Sequence, residues 1–218
     1  MVRQQRAEDT RAAILKAAAE AFARHGYAST RLSDIVRSAN VTQGALYFHF
    51  DSKAQLANEL VRLQHERSIA AGEAHTPTSG SGVAAMIRLS ADLARQMVSD
   101  PIVDAGLRLS TDDVEDVAEV AQAPYLDWIE TCRRYLASSA SAEELRAGIE
   151  VDSAAELVIA AFTGTQFLSA ALAGRQDLFD RMLRMWVSLL PALVRDMEHP
   201  EIVQACNELA QLGEAKVK

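Results

Sequence analysis

The sequence is poor in residues that interrupt helices and in residues that build metal or disulfide sites. Only five prolines and two cysteines occur among its 218 residues. Because Ala, Leu, Glu and Arg are abundant and favour helix over strand, this composition predicts an all-α protein. Cys132 and Cys206 lie far apart, without a second pair or a His spacing typical of a metal site. We therefore expect reduced, structural thiols and no bound metal.

Long apolar runs are missing as well. No stretch reaches the roughly 18 to 20 uninterrupted apolar residues that a membrane span needs, and the N-terminus lacks the apolar segment of a signal peptide. We expect a cytoplasmic protein with no membrane partner. No repeat of roughly 20 to 50 residues occurs, which argues against a solenoid.

Motifs of the common enzyme classes are absent too. The chain has no Gly-rich phosphate loop, no Ser-His-Asp setting, no paired metal-ligand helix and no cysteine nucleophile at useful spacing, and its five histidines are scattered. We expect neither an enzymatic activity nor a cofactor.

Charge is distributed unevenly along the chain. The formal net charge is −8, but residues 1–53 hold eight Lys/Arg and five Asp/Glu and so carry +3, which leaves −11 on the rest. A basic segment on an acidic chain can direct one end of a molecule towards a polyanion. Segments of this charge are common, so the asymmetry alone does not establish a nucleic-acid partner.

Apolar spacing and capping residues predict helices along the whole chain. The first runs from about residue 7 to 25 and stops at Gly26, the second has Thr30 as its N-cap, and a short third begins at the N-cap Thr42. Asn40 lies in the turn between the second and third, where a left-handed residue is tolerated. Further helices are predicted at about 53 into the 70s, 83–99, 101–110, 116–138, 152–173, 176–197 and 199–212.

Residues 40–50, NVTQGALYFHF, have the features of the helix that enters the DNA major groove in a helix-turn-helix. Gly44 and Ala45 remove bulk from the first turn, so the backbone can approach DNA closely. Gln43 offers an amide that can pair with adenine, and Thr42 can reach a phosphate or a base edge.

The aromatic run that follows divides into two groups. Leu46 and Phe50 are four residues apart and can face the core, and we expect Phe48 to be buried with them. Tyr47 and His49 can instead donate hydrogen bonds to phosphates. Because aromatic runs near helix ends are usually core, these residues alone leave both DNA binding and burial open.

Two known groups of proteins share these motifs. Residues 8–60, which include YASTRLSDIVRSANVTQGALYFHFDSKAQL, resemble the N-terminal domain of TetR-family transcriptional repressors, with the helix-turn-helix, the Tyr-x-His-Phe element and the Ser-Lys pair in register. RQQRAEDTR, GALYFHF, AGLRLS at 105–110 and PYLDWIE at 124–130 are similar to the γ-butyrolactone autoregulator receptors of Streptomyces and related actinomycetes.

The resemblance implies an all-helical homodimer with a three-helix DNA-binding head, residues 1–52, and a larger ligand-binding and dimerisation body, residues 53–218. It implies a repressor that a γ-butyrolactone- or butenolide-like signal releases from a pseudo-palindromic operator, in control of secondary metabolism. A regulator of the same fold that answers to an unrelated ligand, such as an antibiotic or drug, is the alternative. The implied DNA contacts are Arg6 in a basic arm ahead of the first helix, Thr30, Thr42, Gln43, Gly44, Tyr47, His49 and Lys53. The subfamily often carries Lys at position 43, so Gln43 leaves the operator sequence open.

A ligand pocket is implied in the body. Trp128 matches a tryptophan that lines the pocket of these receptors, although a tryptophan in an amphipathic helix is more often core. Polar residues in apolar runs could orient a ligand, but each can also be exposed, cap a helix or lie at a dimer interface. The other candidates are Gln64, Thr131, Phe162, Thr163 and Gln166. A constitutive architectural DNA-binding protein would explain the head but not such a body.

Residues 152–197 indicate a subunit interface. The two helices predicted there are apolar around most of their circumference, and Ala160, Ala161, Gly164 and Ala171 permit close packing. Two such helices per subunit would form a four-helix bundle across a two-fold axis. Burial within one chain would explain the same pattern.

Overall fold

The computed structural model describes residues 2–77, 80–111, 118–141 and 143–214, and in these ranges the chain forms ten α-helices. They are α1 (Val2–Ser29), α2 (Leu32–Ser38), α3 (Gln43–His49), α4 (Lys53–Ala74), α5 (Gly82–Ser99), α6 (Pro101–Thr111), α7 (Ala118–Ser141), α8 (Val151–Ala173), α9 (Leu178–Leu193) and α10 (Pro200–Glu214). The predicted all-α class is confirmed. The last predicted segment is helical, and α9 ends four residues before its predicted end at 197.

The helices divide into two compact units. The first unit contains Met1–Ser68 and Gln96–Pro124, and the second contains Ile69–Arg95 and Tyr125–Lys218. Packing therefore groups the first part of α4, together with α6, with the N-terminal helices. The predicted boundary between residues 52 and 53 does not coincide with this division by packing, and as a boundary between functions it stays a prediction.

The core of the first unit forms where the apolar faces of α1, α2, α3, α4 and α6 meet. Ile14, Leu46 and Leu60 are completely buried in it. Gly106 on α6 lies tightly against α4, because a Cβ at this position would be 2.5 Å from the Cβ of Gln64 and 2.7 Å from the carbonyl oxygen of Leu60. Glycine is therefore the residue that lets α6 pack this closely on α4.

The ends of α1 and α2 correct two predictions. Gly26 breaks the helical conformation near the end of α1, with φ 74° and ψ 165°, as predicted. The N-cap of α2, however, is Arg31, which makes no side-chain capping bond. The prediction of Thr30 as this N-cap was wrong, because its hydroxyl donates backwards to the carbonyl oxygen of Gly26 at 2.8 Å.

The start of α1 corrects the second of these predictions. Arg6 lies within α1, which begins at Val2, so it does not belong to an arm ahead of the helix.

An ion-pair network joins α1 to α4 in the first unit. The Glu59 carboxylate on α4 accepts hydrogen bonds from Arg11 of α1 and from Arg62 one turn further along α4, and Arg62 also contacts Glu66. The hydrogen bond from Arg62, supported by that of Arg11, lowers the pKa of Glu59 below its ordinary value of 4.5 in spite of partial burial. The ionised form of Glu59 therefore stabilises the folded state.

We expect Glu59→Gln to lower the free energy of unfolding at pH 7 by roughly 1 kcal/mol, because the network loses its central charge. A carboxyl whose folded pKa is depressed contributes stability above its unfolded pKa and loses it as the pH falls through the folded pKa. The difference from wild type should therefore shrink steadily below about pH 4.5. Urea unfolding at a fixed protein concentration over a pH series measures it. Glu66→Gln removes a more exposed carboxylate that contacts Arg62 at the edge of the network, so it is the matched control, and an equal loss there would contradict the assignment.

In the second unit, α5 contacts both α7 and α9. The indole N–H of buried Trp186 on α9 donates to the Ser90 hydroxyl at 2.9 Å. The thiol of Cys132 on α7 lies 3.4 Å from the sulfur of Met86. Burial raises the pKa of Cys132 to about 12, so the thiol stays protonated at neutral pH. This thiol has the structural environment predicted for it.

One helix of the second unit leaves a large apolar surface uncovered. α8 is long and apolar enough to cross a membrane by length and composition, and only 22% of its most apolar window is buried within the chain. Its buried residues, among them Ala154, Val158 and Ser169, lie on one side. Leu157, Leu168 and other exposed apolar residues lie on the opposite side. We call that side the α8 stripe, and it comprises Leu157, Ala160, Gly164, Phe167, Leu168 and Ala171.

Candidate nucleic-acid interface and ligand-binding region

The turn between α2 and α3 has the predicted geometry. Asn40 adopts the left-handed conformation with φ 53°. The Thr42 hydroxyl caps α3 by accepting a hydrogen bond from the backbone N–H of Ala45 at 3.1 Å. Val41 and Leu46, on either side of the cap, both pack into the core of the first unit. α3 is therefore held at a fixed angle to α2, as a recognition helix requires.

The outward face of α3 presents small and polar groups at its start. Thr42, Gln43 and Gly44 are exposed. Within the part of the chain that the structure describes, a Cβ on Gly44 would meet no atom nearer than the Thr42 hydroxyl oxygen at 4.0 Å, so the fold has room for a side chain there. Glycine within a helix costs about 1 kcal/mol relative to alanine. Because packing does not require this glycine, close approach by a molecule outside the chain is the better explanation.

Phe48 is not in the core, contrary to the prediction. Its side chain is 79% exposed, whereas Leu46 and Phe50 are buried as predicted. Successive helical residues are rotated by about 100°, so a residue two positions from Leu46 lies on the opposite side of the helix. The helical period could have identified Phe48 as an outward residue, but its apolar character suggested burial. Phe48 is therefore an interface candidate that the sequence-based prediction missed.

Tyr47 and His49 occupy intermediate positions around α3. Tyr47 is 46% exposed beside Phe48, and its hydroxyl has no hydrogen-bond partner in the described ranges of the chain. His49 is half-buried, with its ring edge-on to Phe48 at 5.0 Å between centroids and tilted against Phe50 at 6.4 Å. Tyr47 is thus presented more openly than His49. The predicted DNA contacts of both remain predictions.

Thr30 and Lys53 have partners inside the first unit. The Thr30 side chain is only 3% exposed, and its hydroxyl lies near carbonyl oxygens of α1. The Lys53 ammonium donates to the carbonyls of Tyr27, Ala28 and Thr30 at 2.9 to 3.4 Å and lies over the Tyr27 ring. Three acceptors match the three N–H bonds of an ammonium group. These positions favour a structural role for both, in holding the α1–α2 turn against the start of α4.

Trp128 and Thr131, two of the predicted ligand residues, lie together on α7. A Cβ on Gly72 of α4 would be 3.6 Å from a methyl carbon of Thr131 and 3.7 Å from the six-membered ring of Trp128. The Tyr135 hydroxyl, one turn further along α7, donates to the Gly72 carbonyl at 2.7 Å. Trp128 is half-buried, and its indole N–H has no hydrogen-bond partner among the described residues. Trp186, in contrast, is buried with its N–H satisfied.

The remaining predicted ligand residues lie on α4 and α8. Gln64 belongs to the first unit, where it is buried and donates to the Ser68 hydroxyl at 2.9 Å. Gln166 on α8 is buried and accepts a hydrogen bond from Arg175 at 3.0 Å in the α8–α9 turn. Phe162 and Thr163 are half-buried on α8. Gln64 and Gln166 thus already have protein partners, whereas Trp128 retains an unused donor.

Comparison with known proteins places these features in a family. Residues 14–60 match the bacterial regulatory proteins of the tetR family, and residues 80–195 match the tetracyclin repressor-like C-terminal domain. The A-factor receptor protein of Streptomyces griseus is 32% identical over 203 residues, which cover 93% of this chain and 69% of the relative.

Solved structures extend the similarity to the whole fold. The crystal structure of a gamma-butyrolactone receptor, an ArpA-like protein, has a TM-score of 0.79 and 32% identity, with 95% of this chain and 99% of that chain covered. CprB from Streptomyces coelicolor, in complex with its biological operator sequence, has a TM-score of 0.77 and 30% identity over 96% and 99% of the two chains. These similarities show that the chain belongs to the TetR family, whose members are ligand-responsive, DNA-binding transcriptional repressors rather than enzymes.

Proposed function

We propose that the protein represses genes of secondary metabolism and leaves its operator when it binds a γ-butyrolactone- or butenolide-like signalling molecule. The relatives named an A-factor receptor and a gamma-butyrolactone receptor support this ligand class, because each is similar over most of its length. The repressor would act in the cytoplasm as a homodimer on a pseudo-palindromic operator, since a two-fold protein presents two identical recognition helices to two half-sites.

The observation that carries the DNA-binding part is the outward face of α3. Gly44 occupies a position with room for a side chain, and Phe48 and Tyr47 project beside it. Gln43 supplies the amide for a base edge, Tyr47 a hydroxyl for a phosphate, and Phe48 an apolar ring for a thymine methyl group or a sugar. If the protein had no partner at this face, the exposure of these two aromatic residues would have no explanation.

A gel-shift titration against DNA upstream of the protein's own gene tests the function. We expect saturable binding at low salt, a weaker complex as salt rises, and release on addition of synthetic alkyl-substituted γ-butyrolactones or butenolides. Binding that no such compound and no native extract reverses would count against ligand control. Absence of binding at low salt would count against the DNA-binding proposal itself.

The ligand would contact Trp128 and Thr131 beside Gly72. A half-buried indole with an unused N–H offers both an apolar face and a hydrogen-bond donor for a lactone carbonyl. α4 carries Gly72 near its C-terminal end, and Lys53 at its start. A ligand that displaces Gly72 would therefore act on the same helix whose first residue holds the α1–α2 turn.

We expect Trp128→Ala to leave operator affinity within about twofold of wild type, while the lactone concentration for half-release rises by about 30-fold or more, as for loss of a buried aromatic anchor. Gel shifts with the wild-type operator and the most active lactone measure both. Leu126→Ala, an exposed residue on the same helix, is the control and should change neither value. Unfolding of the Trp128→Ala variant would instead assign this residue to the core.

A further inference from the structure

A polar cleft in the second unit is not part of the region described above. It has a volume of about 300 Å³ and lies among α5, α10 and His75, which follows the end of α4. None of the six predicted ligand residues lines it. A volume of about 300 Å³ is at the lower end of the range of small-molecule sites.

The two carboxylates of this cleft already accept hydrogen bonds from other side chains of the protein. Asp92 contacts the imidazole of His75 through one oxygen and the guanidinium of Arg95 through the other. Glu208 accepts hydrogen bonds from Arg88 and from Gln204, one at each oxygen, both at 2.9 Å. Each carboxylate oxygen thus has a donor, and neither acid needs a further cation.

Arg88, in contrast, has unused donors. Its Nε donates to Glu208, and its two terminal amino groups have no acceptor in the described part of the chain. The side chain is 30% exposed and faces the cleft. A guanidinium group matches a carboxylate with two parallel hydrogen bonds, so Arg88 is prepared for an anionic group.

Charged groups surround His75 in the cleft, where the two arginines and the carboxylates of Asp92 and Glu208 balance in formal charge. Burial lowers the pKa of His75, and the charges of Arg95 and Arg88 lower it further. The imidazole is therefore neutral at pH 7 and donates its Nε2–H to Asp92. Ala91, Ala205 and Leu212 complete the lining with apolar surface.

We propose that this cleft is a second small-molecule site, which binds an organic monocarboxylate with a short apolar tail. Its carboxylate would pair with the terminal amino groups of Arg88, and its tail would cover Ala91, Ala205 and Leu212. The apolar lining distinguishes this ligand from an inorganic anion, which would gain nothing from it.

Methyl NMR of the full-length protein tests the site, because Ala91, Ala205 and Leu212 supply reporters within it. Sodium hexanoate should shift these methyl signals saturably, whereas n-hexanol and sodium sulfate at equal concentration should not. Arg88→Gln should weaken hexanoate binding by about tenfold or more, as expected when a charge-assisted pair is lost. Arg184→Gln, an exposed arginine outside the cleft, should leave it unchanged.

Ala205→Leu provides a second variant that does not depend on the arginine, since the larger side chain fills the apolar lining and should abolish binding. Equal shifts with hexanol, equal shifts with sulfate, or hexanoate affinity unchanged in both variants would overturn the proposal. So would the absence of any saturable shift. Because the NMR samples contain neither DNA nor lactone, these outcomes are independent of operator binding and of lactone release.

Discussion

Tyr47→Phe is expected to weaken operator binding by roughly 30- to 150-fold and to leave the free energy of unfolding within about 0.5 kcal/mol of wild type. The substitution removes one hydroxyl from the outward face of α3 and keeps the ring, which is 46% exposed. A hydrogen bond at a solvent-accessible interface contributes about 1 to 1.5 kcal/mol, the upper part of the ordinary net range, and a dimer loses it at both half-sites. Fluorescence anisotropy with labelled operator DNA and urea unfolding measure the two quantities.

The salt dependence of binding distinguishes this contact from an ionic one. Because a phenol displaces no counterion, Tyr47→Phe should leave the slope of log K against log salt concentration unchanged. Gln43→Lys, which restores the residue common in the subfamily, should instead steepen the slope by about two for a dimer. Tyr125→Phe on α7 is the control for loss of a hydroxyl elsewhere. If Tyr47→Phe lowered the free energy of unfolding and left the DNA affinity unchanged, the predicted DNA contact would be wrong and Tyr47 would have a packing role.

Helix positions could be predicted from the sequence because local signals determine them. The apolar period, the N-cap Thr42 and the left-handed Asn40 act over a few residues, and all three have the predicted geometry. Thr30 shows the limit of the same signals, since its hydroxyl can cap a following helix or bond a preceding carbonyl. Which of these two hydrogen bonds forms depends on the path of the chain around Gly26, and that path depends on packing across the first unit.

The candidate site was predictable only in part for a related reason. Gln43, Gly44 and Tyr47 lie on the outward face because a short capped helix with two core residues leaves few orientations. By its charge, Lys53 was an equally suitable candidate for a phosphate contact. Its ammonium group instead donates hydrogen bonds to three backbone carbonyls at the end of α1 and in the turn before α2. Contacts of this kind join residues more than twenty positions apart and have no local pattern. The spare N–H of Trp128 and the spare donors of Arg88 likewise become visible only once their neighbours are known.

The α8 stripe has the properties of a subunit interface. Leu157, Phe167 and Leu168 are each about half-exposed, and a Cβ added to Gly164 between them would have no neighbouring atom of the described chain within 4 Å. Val187 on the neighbouring helix α9 is also 53% exposed. An apolar surface of this length on one chain is typical of a homodimer, and the small residues would let a second copy approach closely. We propose that α8 and α9 pair with their copies in a four-helix bundle.

Leu168→Glu should therefore separate the subunits. A carboxylate at the centre of an apolar interface would lie unpaired in both copies, and its desolvation costs several kcal/mol. Light scattering should give a mass near the 23.7 kDa of one chain, whereas wild type should give about twice that value. Operator affinity should fall by roughly 100-fold or more, because a monomer engages a single half-site. Glutamate is preferred to arginine for this test, since an added positive charge would favour DNA nonspecifically.

Leu126→Glu is the matched control, because Leu126 is 66% exposed on α7 and lies outside the α8 stripe. It should remain dimeric and bind the operator as wild type does. If Leu168→Glu remained dimeric with full operator affinity, the subunits would have to meet elsewhere. If wild type itself had the mass of one chain, the apolar side of α8 would need a different partner. A dimer that dissociates only in the Leu168→Glu variant, with its helical content intact, leaves pairing through α8 as the explanation, since both variants add the same charge to an exposed leucine.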